Sequence, residues 1–136
     1  MRVFLDTNII VDLIQKREDY ELAARIFQGA EDGAYELCTS TVSMVNVAYI
    51  LRKFYKGYRL YELLGELMEI INVVSVSSLA YGNALKSKAG DFEDAVQLFS
   101  ALEEGVDCII TRNVGDFIEG ILPIYAPSVF LENYRS

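Results

Sequence analysis

Short apolar runs that end in polar residues and lead into helical periodicity constrain this chain more than any other feature. VFL at 3–5 stops abruptly at Asp6, Thr7 and Asn8, and YELC at 35–38, VVSV at 73–76 and DCII at 107–110 follow the same plan. Runs this short, with little polar alternation, have the pattern of strands buried on both faces of a parallel sheet. A fifth run, 121–125, contains Pro123, which lacks an amide donor and points to an edge position.

Helical patterns fill the intervals. One begins at 9–14, and Leu22, Ala23, Ile26, Phe27 and Ala30 mark a second over 20–30 that stops near Gly33. A long helix capped by Thr39 or Thr41 runs to about Tyr55, with Val42, Val45, Ala48 and Tyr49 on one face. The next spans 60–71 after Gly57, and these two form a helical hairpin arm. Further segments cover 79–88 and 91–104, the latter ended by Gly105, and a last turn lies at 128–131.

Strands alternating with helices imply right-handed βαβ units. The expected fold class is α/β: a three-layer α/β/α sandwich with a mostly parallel sheet of four to five strands. With 136 residues, 52% of them hydrophobic, and neither repeat nor linker visible, one domain spanning 1–136 is expected.

In such a sheet, ligands bind beyond the carboxyl ends of the strands, where strand order reverses. Asp6, Thr7 and Asn8, then Thr39, then Thr111, Arg112 and Asn113 occupy those ends. Composition limits the chemistry. The absence of His removes Ser/His and Cys/His catalysis and every His-dependent zinc site. Cys38 and Cys108 sit in apolar segments without metal spacing and read as free, buried residues. Carboxylate and carbonyl oxygens remain, and these suit Mg²⁺ or Mn²⁺.

A formal charge of -8 opposes general affinity for nucleic acid, so any such contact must be local. Arg52, Lys53, Lys56 and Arg59, interleaved with Phe54, Tyr55 and Tyr58, form one basic group. It reads either as a solvated helix end or as a surface for phosphates and unpaired bases. No apolar run is long enough to span a bilayer and no signal-sequence pattern opens the chain, so the cytoplasm is the expected location.

Three acidic stretches stand out. Asp6 is placed both to cap a helix and to hold a cation at the sheet edge. In GDFEDAVQLFSALEEG, Asp91 and Asp94 have the spacing of an N-cap and N3 pair, Asp91 reading mainly as the cap. In ITRNVGDF a strand runs into Asn113, Gly115 and Asp116, the composition of a turn.

The combination of LDTN, an EDA helix start and TRNVGDF, in this order over nearly the whole chain, resembles the PIN-domain family, which includes VapC-type toxins. The resemblance implies a metal-dependent nuclease: an endoribonuclease hydrolysing RNA phosphodiester bonds with Mg²⁺ or Mn²⁺. Carried over by position, Asp6, Asp94 and Asp116 are the implied catalytic and metal-holding acids, with Asn113 contesting the last place. Thr7, Asn8, Thr111 or Asn113 would then orient water or substrate phosphate, and Arg112, beside the expected metal site, is the candidate phosphate contact. The family's second acid, usually a Glu early in the third helix, is replaced here by Asn46 in NVAYILRK.

That departure supports an alternative, a weakened or inactive PIN fold serving as an RNA- or protein-binding module. A small antitoxin partner is implied by the resemblance, and a homodimer by the resemblance together with the apolar helical surface. A haloacid-dehalogenase phosphatase would carry a second Asp where Asn8 stands. A receiver domain would pair acids after its first strand, and a nucleotide-binding fold would show a Gly-rich phosphate loop. None of these patterns is present.

Overall fold

The computed structural model describes residues 1–134. Five strands, β1 (Arg2–Leu5), β2 (Glu36–Ser40), β3 (Asn72–Val74), β4 (Cys108–Ile110) and β5 (Ile124–Tyr125), form one sheet in the order β3-β2-β1-β4-β5. Every neighbouring pair is parallel. Among the described residues seven α-helices cover it: α1 (Thr7–Gln15), α2 (Tyr20–Glu31), α3 (Thr41–Leu51), α4 (Tyr58–Ile70), α5 (Ser78–Ser87), α6 (Phe92–Glu104) and α7 (Pro127–Asn133).

Alternation along the strands divides the core between the two faces. Val3, Leu5, Leu37, Cys108 and Ile110 join Ile9 and Ile10 of α1, Ile26 of α2, Val47 of α3, Leu63 and Leu67 of α4 and Phe130 of α7 in one apolar cluster. Phe4, Cys38, Val74 and Ile109 point the other way, onto Leu98 and Ala101 of α6 and onto Phe117. Small residues Ala84 and Ala95, with Val96, seat α5 on α6. This is the expected three-layer sandwich, and both cysteines are buried and free.

The boundaries differ from the sequence reading for identifiable reasons. The cap of α3 is Ser40, not Thr39 or Thr41: its Oγ accepts from the Ser43 amide at 3.1 Å. Thr39 instead donates its hydroxyl to the Leu5 carbonyl at 2.8 Å, tying β2 to β1. Helix α3 stops at Leu51 rather than near Tyr55, and Gly57, at φ +52°, reverses the chain into α4. Strand β3 ends at Val74 because its partner at that level, Ser40, is the last residue of β2. Pro123 directly precedes the edge strand β5, and its carbonyl accepts the Ile109 amide at 3.0 Å.

The chain builds outward from β1 to β2 and β3, then crosses back to place β4 on the other side of β1. Strand order therefore reverses between β1 and β4. The carboxyl ends of these two strands carry Asp6 and Thr111.

Candidate functional site

Asp6 is the N-cap of α1 and only 5% exposed. Each of its oxygens is held by the protein. Oδ1 accepts from the Thr7 amide at 2.7 Å and from Gln97 Nε2 at 3.0 Å. Oδ2 accepts from Thr111 Oγ1 at 2.7 Å and from Asn8 Nδ2 at 3.3 Å. Thr111, after β4, thus ties that strand end to Asp6 after β1, and its Oγ1 also accepts the Asn113 amide at 3.0 Å.

Gln97 is the residue that sequence reasoning missed most completely. It is fully buried on α6, three positions after Asp94, and accepts the Ser43 hydroxyl while donating to Asp6. Ser43 in turn gives its amide to Ser40. A polar line therefore runs from the end of β2 through α3 and α6 to Asp6, and fully satisfied buried networks of this kind fix side-chain orientation. The available signal was a Gln inside the apolar stripe of α6.

In front of Asp6 lies a cavity of about 210 Å³ lined by Thr7, Asn8, Val11, Arg17, Ile50, Asp91, Glu93, Asp94, Asn113 and Asp116 as well as Asp6. Carboxylate oxygens of Asp91, Asp94 and Asp116 all lie within 4.8 Å of one another. The structure thus brings Asp94 and Asp116 together, with Asp91, rather than Asp6, as third member of the tightest group. Asp91 also caps α6, its Oδ1 accepting the Asp94 amide at 3.0 Å. Asp116 arrives on a short 3-10 turn, Val114–Asp116, entered from Asn113.

Burial, reinforced by the charges of Asp6, Asp91, Asp116 and Glu93, pushes the Asp94 carboxyl up to about 7 from its ordinary 3.8. Glu93 is also raised, by burial and then by Asp6 and Asp91, while an Asn46 hydrogen bond pulls it down. Crowded carboxylates with elevated proton affinity mark a site whose negative charge the lining Arg17 does not offset. The donor set is hard oxygen, and Thr7, which lines the same cavity, has its Oγ1 buried without a hydrogen-bond partner. These residues fit a hard divalent cation.

Other expected contacts are placed differently. Arg112 Nε stands 2.9 Å from Oδ2 of Asp12, which is 1% exposed, and its backbone amide binds Asn8 Oδ1 at 3.3 Å. Burial raises the Asp12 carboxyl, and Arg112 then Arg17 oppose that rise. The Arg112 guanidinium is thus committed to a buried acid. Asn46 does not line the cavity; its Nδ2 donates to Glu93 Oε1 at 2.6 Å. In the basic group, Arg52 stacks on Tyr49 with 3.9 Å to the ring centroid, and Phe54 and Tyr58 are exposed while Tyr55 packs on the core.

A larger cavity of about 420 Å³ opens at the opposite end of the sheet, among Tyr35, Glu36, Met68 and Ile70. Glu36 and Glu69 line it, but it lies away from the strand reversal and, among the described residues, the group of three converging acids is in the smaller cavity, which is therefore the candidate site.

The PIN domain model of protein families matches residues 2–115. This chain belongs to the PIN-domain family. No curated protein sequence matches it. Among solved structures, this PIN domain is similar to a toxin-antitoxin complex from Klebsiella pneumoniae, with TM-score 0.69, 23% identity, and coverage of 92% of this chain and 97% of that one. It is also similar to VapBC-1 from nontypeable Haemophilus influenzae, with TM-score 0.67, 24% identity, and coverage of 94% and 99%. VapC20 from Mycobacterium tuberculosis, described as a sarcin-ricin loop cleaving toxin, aligns with TM-score 0.63, 16% identity, and coverage of 79% and 86%. At these identities the likeness shows the PIN fold. Among the described residues, no helix is long and apolar enough to cross a membrane.

Proposed function

We propose that this PIN domain is a metal-dependent nuclease of the VapC-like toxin type, an endoribonuclease that hydrolyses RNA phosphodiester bonds with Mg²⁺ or Mn²⁺. The observation that carries this reading is the acidic cavity at the strand reversal, where Asp91, Asp94 and Asp116 offer oxygens within 4.8 Å of one another beside the fixed carboxylate of Asp6. Asp6, Asp94 and Asp116 would hold the cation, with Asn113 lining the same cavity beside them. The chemistry such an ion would supply is neutralisation of phosphodiester charge and a lowered pKa of a bound water.

The chain's own residues do the positioning. Gln97, Thr111 and the Thr7 amide fix the Asp6 carboxylate before any ligand arrives, which is the preorganisation that an electrostatic site requires. Asn8 lines the cavity, Thr111, fully buried, acts only through its bond to Asp6, and Thr7, whose buried Oγ1 has no hydrogen-bond partner, lines the cavity beside Asn8. Arg112 acts from behind: through Asp12 it holds the loop that delivers Asn113 and Asp116.

The whole-molecule charge of -8 repels RNA at long range, so the exposed Phe54 and Tyr58 beside Arg52, Lys53 and Lys56 serve as a local contact for unpaired bases. The toxin-antitoxin complexes among the structural neighbours support a small antitoxin protein as partner. Exposed apolar residues on α3 and α4, including Val45, Tyr49, Tyr61 and Met68, support a homodimer.

The test is cleavage of single-stranded and stem-loop RNA by purified protein in Mn²⁺ and in EDTA. Cleavage in Mn²⁺ that disappears in EDTA and in Asp94→Asn is expected. Cleavage that persists in Asp94→Asn, traced to this protein by co-elution, overturns the assignment.

A further inference from the structure

The third helix lacks an acid at Asn46, yet the structure does not leave a neutral gap there. Glu93, at the second position of α6, reaches toward α3, and Asn46 Nδ2 donates to its Oε1 at 2.6 Å. Glu93 lines the cavity together with Asp6, Asp91 and Asp94. Ile50, one helical turn beyond Asn46, lines the same cavity, so this face of α3 borders it.

We propose that Glu93, tethered by the Asn46 amide, supplies from α6 the carboxylate that α3 does not carry, and so completes the divalent-cation site of this PIN domain. The proposal rests on the nuclease reading above. Its logic is complementarity of charge and hydrogen bonding. A carboxylate at position 46 would face Glu93 with acceptor against acceptor, whereas an amide presents a donor. One acid and one amide in contact carry the same net charge whichever helix supplies the acid.

A second observation at the cavity is independent of its acids. Thr7 is 8% exposed, lines the cavity, and its Oγ1 has no hydrogen-bond partner. A hydroxyl buried without a partner is satisfied when rotation of its side chain brings it onto a cation's water or a phosphate oxygen in the adjoining cavity.

The exchange is tested by calorimetric titration of Mn²⁺ into wild type, Glu93→Gln, Asp94→Asn and the double variant Asn46→Glu with Glu93→Gln, with the Mn²⁺-induced rise in Tm as a second readout. Glu93 is exposed and its Gln variant keeps its shape, so folding is retained and circular dichroism checks it. Glu93→Gln is expected to lose about tenfold or more in Mn²⁺ affinity. The double variant, which moves the acid from α6 to α3, is expected to recover most of that loss. Wild-type affinity in Glu93→Gln, with binding lost in Asp94→Asn, overturns the role of Glu93 and leaves the nuclease reading standing. A double variant as weak as Glu93→Gln overturns the exchange between helices. Wild type that takes up no Mn²⁺ overturns both.

Discussion

Asp94→Asn is expected to stabilise the metal-free protein while destroying its response to metal. The Asp94 carboxyl has its pKa raised from 3.8 to about 7, first by burial and then by Asp6, Asp91, Asp116 and Glu93. Below pH 4 the folded and unfolded chains both hold the proton. Between pH 4 and 7 the folded chain keeps a proton that the unfolded chain has released, so stability falls as pH rises and levels off above about 7. At roughly 1.4 kcal/mol for each tenfold change in proton affinity, the ceiling on this loss is about 4 kcal/mol. Asp94 is only half-buried, and solvent screening reduces the realised loss to about 1–2 kcal/mol.

The Asn variant never acquires this charge. In EDTA at pH 8 its Tm should exceed that of wild type by roughly 3–8 °C, and at pH 4 the two should converge. Saturating Mn²⁺ should reverse the order, because a ligand at about a hundred times its Kd contributes about 2.7 kcal/mol to a protein that binds it and nothing to one that does not. Scanning calorimetry at pH 4, 6 and 8, with and without metal, reads all of this. A variant less stable than wild type at pH 8 in EDTA would refute the reasoning, since it would mean that Asp94 stabilises the fold rather than straining it.

Gln97→Leu should cost about 1–3 kcal/mol in urea unfolding, because it strands the Ser43 hydroxyl and removes a donor from Asp6. Arg112→Ala should cost about 3 kcal/mol by leaving the buried Asp12 with only the weaker influence of Arg17 to offset its charge, whereas Asp12→Asn combined with Arg112→Gln should cost less. If Arg112→Ala instead leaves the urea midpoint unchanged and weakens only RNA binding, Arg112 is a phosphate contact. Gly29→Ala should cost about 1–3 kcal/mol, because an added Cβ meets the ring and hydroxyl of Tyr35, which donates to the Ile26 carbonyl at 2.6 Å and packs edge-on against Phe130. Thermal unfolding measures that loss.

Much of this architecture was legible in the sequence because strand burial and helical spacing are local signals. The parallel sheet, the edge position announced by Pro123, Asp6 as a helix cap and Asp91 as another all follow from residues within a few positions of one another. Element ends were less legible, since they depend on partners. Val76 has the side chain of a strand residue but no neighbour in β2 to pair with, and Thr39 loses the capping role to Ser40 because Leu5 takes its hydroxyl.

The candidate site divides along the same line. Sequence order alone placed Asp6, Thr111, Asn113 and Asp116 beyond strand ends and Asp94 at a helix start, because the chain reverses where apolar runs meet polar residues. Which groups touch was decided only by the packing of α3 and α6 against the sheet. Asp91 enters the tight acidic group beside Asp94 and Asp116, Gln97 reaches Asp6 across 91 positions, and Glu93 meets Asn46 across 47. Such contacts join residues remote in sequence, and no periodicity encodes them. The missing charge at Asn46 was readable in one dimension, and the carboxylate beside it only in three.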